Sequence, residues 1–408
     1  MRFPEHEPPV THREVSSVRR TATPLLARFL PHATIDPASY SNNMKYKIIA
    51  EGFVSQRKAG TNTSLAAGSR CVATKNGELI CTFVAQTATG GNDFKPMISR
   101  SKDGGLTWSE ATLIWPEIQD KYSIFGSISA APTGDLFFYG MRTPIDYPGE
   151  KAWSEATNGL KQNELVWTRS SDHGVTWGSF TVIPMPIPGS AEAAGAMCLT
   201  RSGDMVCCYA VYNTDDPNLK VTHNQVLCLV SKDQGKTWQH RAMLEFESKD
   251  DLGAESWVVE LSDGRLLGIG WHIRGDIAQT NKYALSSDAG ATWSRTLSTG
   301  VLGQSTALAP LAQGRALFIY NQRKQGDIGV WLALVEPTIG SIGLLANERI
   351  WAAEVASRGG ATADFKDWTS YAFGEPSVTP LADGTILVTL WALQPSGNGI
   401  RYIKLRIE

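Results

Sequence analysis

Four times the chain spells S-x-D-x-G-x-T-W: Ser101 to Trp108, Ser170 to Trp177, Ser231 to Trp238 and Ser286 to Trp293. The glycine supplies positive φ. The aspartate carboxylate and the Ser or Thr hydroxyls bond turn amides, and the tryptophan fills a large apolar slot. Such a unit is a recurring hairpin turn and marks the fold, because no catalytic group is needed four times over. Its aspartates, Asp103, Asp172, Asp233 and Asp288, are 69, 61 and 55 residues apart. That interval fits one four-stranded sheet plus its loops, and periodicity of this length points to a β-propeller.

A second pattern sets the number of blades. An apolar run, a Gly-centred turn and another apolar run recur around Gly77, Gly134, Gly203, Gly264, Gly314 and Gly384. Each reads as a tight antiparallel hairpin. Their near-continuous apolar character is that of inner strands covered on both faces. Six hairpins predict an all-β, six-bladed propeller. The first four hairpins are followed by the octapeptide, the fifth leads to GVWLALVEPT and the sixth ends in IRYIKLRI. The last blade therefore lacks an outer strand from its own end, and Tyr46 to Val54 can supply it and close the ring. Residues 1–44 are expected to form an arm outside a single propeller domain, residues 45–408.

The bulk numbers narrow the function. Net charge is −2, from 38 Lys and Arg against 40 Asp and Glu, without the basic excess of a nucleic-acid binder. No apolar run reaches the ~18 residues of a membrane span. The short apolar patch Leu25 to Leu30 is broken by Arg28 and makes a poor leader, so a cytoplasmic location is expected, with a secreted or periplasmic one as the alternative. Neither a cofactor nor a metal is implied, because no CxxC or His-rich spacing is present. Cys71 with Cys81, and Cys198 with Cys207, lie across hairpin turns where a disulfide or a buried apolar packing role is open to them.

In a four-stranded blade the octapeptide turns and the hairpin turns share one rim. Chemistry is expected on the other, at the entry to each first strand and in the loop after each second strand. The entries contribute Arg70, Glu192, Glu255, Gln304 and Glu375. The second blade has much the longest loop, Arg142 to Lys161, and long loops on a rigid scaffold are usually functional. Glu255 and Glu375 each stand nine residues ahead of a turn glycine, facing the central funnel, where burial raises a carboxyl pKa toward neutrality. The competing role for each is a bond to a neighbouring blade's backbone.

The octapeptide resembles the Asp box, or BNR repeat, of the sialidase superfamily, over roughly Tyr46 to Glu408. The segment ESWVVELSDGRLL resembles the stretch carrying the glutamate that partners the family's nucleophilic tyrosine, which implies that role for Glu255. Arg70 resembles the first of three arginines that grip a substrate carboxylate, although it lies only seven residues before its turn glycine. Asp93 falls in the loop of the family's general acid. Where the second arginine should follow GRLL stand Gly270, Trp271 and His272, with Arg274 just beyond. Ahead of the fifth hairpin, the place expected for the tyrosine, stand Gln304, Ser305 and Thr306. Arg142, Arg274 and Arg323 are candidates to complete an anion clamp, Tyr320 or Tyr371 to approach from blades five and six, His272 to act as a base, and Trp271 to line the substrate.

The leading expectation is a sialidase-like glycosidase acting on a terminal acidic sugar of a glycan, with Asp93 as acid and Glu255 as base. A polysaccharide lyase acting on a uronate is one alternative. The other is a propeller that binds glycans or proteins without catalysis.

Overall fold

The computed structural model describes residues 44–408; all but the last residue of the expected arm lies outside them. The described residues form six blades. Their inner strands are Leu65–Ala73, Tyr122–Ala130, Ser190–Glu192 continued by Cys198–Leu199, Asp251–Glu260, Gln304–Pro310 and Phe373–Pro380. The sixth blade takes its outer strand, Tyr46–Gln56, from the start of the propeller, paired antiparallel with Gly397–Ile407. That pairing closes the ring.

Second strands hold the blades together because both of their faces are covered. Leu79–Gln86, Met205–Tyr212 and Ala316–Gln322 are buried at every position. Between blades four and five, Leu267, Ile269 and Tyr283 meet Leu308, Leu317 and Ile319. Burying one such aliphatic side chain is worth ~1.5–3 kcal/mol. Cys71 faces Cys81 across its hairpin, whereas Cys207 is opposite Leu229 and Cys198 opposite Val206, so that second pair does not face. All six cysteines are free, and burial pushes the Cys198 and Cys207 thiols up to about 12.

The four octapeptides form one repeated hydrogen-bond unit. Ser101 Oγ donates to Asp103 Oδ1 at 2.8 Å, and the Thr107 amide and hydroxyl donate to Asp103 at 2.9 and 2.6 Å. The same Thr-to-Asp bonds recur at Asp172, Asp233 and Asp288. These donors, the threonine hydroxyl first, hold the four carboxyls below the usual range. The turns also tie blades together: Arg100 in blade one bonds the carbonyls of His173 and Gly174 in the next octapeptide.

On the opposite side, four inner strands carry the same irregularity. Register shifts fall between Ala67 and Arg70, Ala254 and Trp257, Gln304 and Thr306, and Gly374 and Ser377. At each bulge one residue is left-handed: Gly68 (φ 61), Glu255 (φ 46), Ser305 (φ 55) and Glu375 (φ 45). All four stand nine residues before their turn glycine. Blade three departs from this pattern, its inner strand interrupted between Glu192 and Cys198 by a run of small residues.

Gly68 needs to be glycine on two counts, since an added Cβ would also lie 2.7 Å from Phe125 Cζ. Gly68→Ala is expected to lose about 1–3 kcal/mol of stability in denaturant unfolding. Gly343→Ala, where the added Cβ meets nothing nearer than 3.5 Å, should stay within about 0.5 kcal/mol. Equal midpoints for the two variants would contradict the packing described.

Candidate functional site

The bulges turn side chains toward one another at the centre of the ring and link blade to blade. Glu192 of blade three accepts the Glu255 amide at 2.8 Å. The Glu255 carboxyl takes the Ser305 hydroxyl of blade five. Glu375 of blade six accepts the Gly68 amide of blade one at 2.6 Å. The Asn321 amide of blade five, oriented to present its oxygen, accepts from the Glu375 amide at 3.3 Å and from Arg323 Nη2 at 3.2 Å.

Two guanidiniums sit among these three carboxyls. Arg70 donates to the carbonyls of Ser69, Glu375 and Ala194 at 2.7, 3.2 and 3.1 Å, and stacks 4.9 Å from the Trp257 ring. Arg323 turns Nε and Nη2 onto the Phe373 carbonyl at 2.9 and 2.7 Å. Its Nη1 reaches Gln304 Oε1 at 3.4 Å, and its guanidinium lies 4.1 Å from the Tyr371 ring.

Burial governs the protonation of the cluster. The three glutamates keep some solvent contact but lie deep within the ring. Desolvation, then the neighbouring Glu255 charge, pushes Glu192 up to about 8 and Glu375 up to about 7. Glu255 is also raised by burial, opposed by Arg323, the Ser305 hydroxyl and Arg70. Near neutrality the cluster thus holds protons on Glu192 and Glu375 that ordinary glutamates would have lost. Glu255 Oε2 and Arg70 Nε are buried and have no partner. Among the described residues no group of His, Cys, Asp or Glu is placed to hold a metal ion, and no helix is long and apolar enough to cross a membrane.

Above the cluster an aromatic cap closes the mouth. It consists of Trp153 from the long second-blade loop, Tyr212, Trp271, and Phe365 with Trp368 from the segment between blades five and six. Ring centroids are 6.1 Å apart for Trp153–Tyr212, 6.2 Å for Trp153–Phe365, 6.4 Å for Trp153–Trp368 and 5.7 Å for Trp271–Phe365. The Phe365 amide donates to the Asp276 carbonyl of blade four at 3.4 Å. Arg358 Nη2 bonds Thr89 Oγ1 of blade one at 2.9 Å. A pocket of ≈ 70 Å³ bordered by Gln304, Gln322, Lys324 and Phe365 lies beside the cap.

Of the residues singled out from sequence, Arg70, Glu255, Arg323 and Glu375 converge in this cluster with Tyr371 beside Arg323, and Trp271 joins the cap. The others are held elsewhere. Arg142 pairs with Glu164 at 2.8 Å and stacks on Tyr122. Arg274 grips Asp251 through Nε and Nη2 at 2.6 and 2.9 Å. His272 points Nε2 at the same Asp251 at 3.2 Å, stacks 4.6 Å from Phe246, and is pushed down by burial. Tyr320 packs on Phe318 and donates its hydroxyl to Asn347 Oδ1 in the outer strand. Asp93 binds Lys95 and the Thr87 amide at 2.9 and 3.0 Å.

Tyr371, not Tyr320, is the tyrosine beside Arg323. It precedes the sixth inner strand, whereas the sequence reading sought the tyrosine ahead of the fifth. Glu192 was visible as an entry residue, but it stands eleven residues before its turn glycine and so escaped the nine-residue rule. The small-residue run Ala193 to Ala196 was the available sign that this strand breaks. Arg70 is displaced by two because the bulge position in its strand is Gly68.

A family model for BNR repeat-like domains matches residues 77–342. A comparison with curated protein sequences yields no match. Among solved structures, a protein of unknown function from Dyadobacter fermentans superposes with TM-score 0.68 at 19% identity, covering 89% of this chain and 99% of that one. The NanB sialidase from Streptococcus pneumoniae gives TM-score 0.59 at 17%, covering 87% and 70%. An α-L-arabinanase from Penicillium chrysogenum gives TM-score 0.59 at 16%, covering 88% and 98%. At these identities the likeness is one of fold.

The buried carboxyls make stability depend on pH in a definite direction. A glutamate whose folded pKa is raised gives its full contribution below the unfolded value, near 4.5, and loses it as pH rises through the folded one. Stability should therefore fall between about pH 5 and pH 8.5. Glu192→Gln keeps an acceptor for the Glu255 amide and should be more stable than the parent at pH 8.5 by about 1–3 kcal/mol. Urea midpoints at the two pH values check this, and an unchanged slope in the variant would remove Glu192 as a source.

Proposed function

The chain belongs to the family of BNR repeat-like domains, and from that premise we propose that it is a glycoside hydrolase whose chemistry is carried by Glu255 and Glu375. The observation behind this reading is the carboxyl pair at two equivalent bulges, facing each other's blades at the centre of the ring. Glu375 is pushed up to about 7, with Oε2 fixed by the Gly68 amide. Its other oxygen is then the one to hand a proton to the departing glycosidic oxygen. Glu255 is raised by burial, a rise that Arg323, Ser305 and Arg70 oppose, and its Oε2 has no partner.

In the proposed reaction the bond from anomeric carbon to glycosidic oxygen breaks as Glu375 protonates that oxygen. Glu255 takes a proton from the water that attacks the same carbon. Glu192 positions Glu255 through its amide. The sialidase and the arabinanase that share this fold support a glycosidic bond as the target. A lyase route through His272 has less support, since that ring is held on Asp251 and Phe246.

Glu255→Gln should lower turnover by about 10²–10⁴-fold with an unchanged circular dichroism spectrum. The pH profile should decline above about 7 as Glu375 loses its proton. Full turnover by Glu255→Gln on any glycoside the parent cleaves would refute the assignment. Gly374→Ala should also lower turnover, because a Cβ there would collide with Arg323 Nη2.

A further inference from the structure

A site that grips a carboxylated sugar needs guanidinium N–H pairs free to meet it. Here Arg323 has Nε and Nη2 on the Phe373 carbonyl and Nη1 on Gln304. Arg70 has both terminal nitrogens on backbone carbonyls, leaving its buried Nε and one Nη2 hydrogen. Arg142 and Arg274 are bound to Glu164 and Asp251, outside the cluster.

Cations around the mouth are engaged as well. Lys324 pairs with Asp364. Lys161 lies 2.7 Å from both Asp146 and Glu150. The funnel's two guanidiniums are spent on its own carbonyls and side chains. An incoming carboxylate would have to break those bonds in a region already short of solvent, where an unpaired polar group is costly. What the mouth does offer is aromatic surface, which packs against the C–H face of a sugar ring.

We infer, resting on the hydrolase reading above, that the substrate of this funnel is a neutral glycan, recognised by aromatic contact and hydroxyl hydrogen bonds and not by an anion clamp. Within that reading, Glu255 Oε2 is an acceptor for one sugar hydroxyl in the ground state.

The test separates class from catalysis by measuring binding and turnover independently on the full chain. Calorimetry on Glu255→Gln, with its fold verified by circular dichroism, would compare arabinobiose, lactose and cellobiose with 3′-sialyllactose and a digalacturonate. At least one neutral disaccharide should bind at least tenfold more tightly than either acidic one, with affinity changing less than about twofold between low and high salt. Preference for an acidic ligand, or binding of none of the panel, would overturn the neutral class. Sugar release from an acidic glycoside by the parent chain would do so too while leaving the hydrolase reading intact. A neutral sugar that binds but is never cleaved by the parent would sink the hydrolase reading and leave the class standing.

Discussion

A strand at the hub of a propeller has its inner edge bonded to no sheet, so its amides need partners from elsewhere. In this protein the need is met at the bulges by side chains of adjoining blades: Glu192 for the Glu255 amide, Glu375 for Gly68, and Asn321 for Glu375. A left-handed non-glycine residue costs ~1–3 kcal/mol. An amide bond to a neutral side-chain acceptor returns ~0.5–1.5 kcal/mol of that. The bulge geometry and the carboxyls at the axis therefore depend on each other.

That dependence gives Glu255 and Glu375 an architectural role, and the proposed chemistry would use the same geometry. Glu375 does cap a neighbouring backbone, and the same bond leaves one oxygen free and fixes where it points. Burial then supplies the raised pKa that a proton donor near neutrality needs. The two guanidiniums keep the cluster from having to be wholly neutral, yet their N–H groups hold the backbone of the breaks at Ala194 and Phe373. Resemblance to sialidases implies a substrate clamp for these arginines, and in this structure their hydrogen bonds run to the frame.

The ring was legible because its signals are local and repeated. Each octapeptide closes on itself through Ser, Asp and Thr, and each hairpin glycine sits in a left-handed turn, Gly77 at φ 82 and Gly264 at φ 90 among them. Position nine before that glycine carried the site in blades four and six for the same reason. What sequence could not give was any property set by packing between blades. His272 and Arg274 looked free on the rim, but Asp251, far from them in appearance, lies opposite Arg274 in the pairing and draws both in. Tyr320 and Tyr371 look alike on paper. Strand pairing sends the first toward Asn347, while the bend after the helix Phe365–Ser370 brings the second under Arg323. The break in blade three that presents Glu192 is likewise a consequence of crowding, with Gly195 pressed against the Ser256 carbonyl.

The cap sets the terms on which such a site can work. The segment 353–372 carries Phe365 and Trp368 into the cap, beside the cavity bordered by Gln304, Gln322 and Lys324. Its attachments run to several blades. Gly359 and Gly360 are both left-handed, at φ 63 and 74, with nothing near their Cβ positions. Beyond them the segment bonds separate blades through Arg358 to Thr89, the Phe365 amide to Asp276, Gln304 Nε2 to the buried Ala363 carbonyl, and Lys324 to Asp364. The exposed ion pair among these contributes ~0–1 kcal/mol. On the neutral-glycan reading, a sugar ring beneath Trp153, Phe365 and Trp368 exchanges ring-to-ring contacts for ring-to-sugar ones, so the cap and the substrate compete for the same aromatic surface.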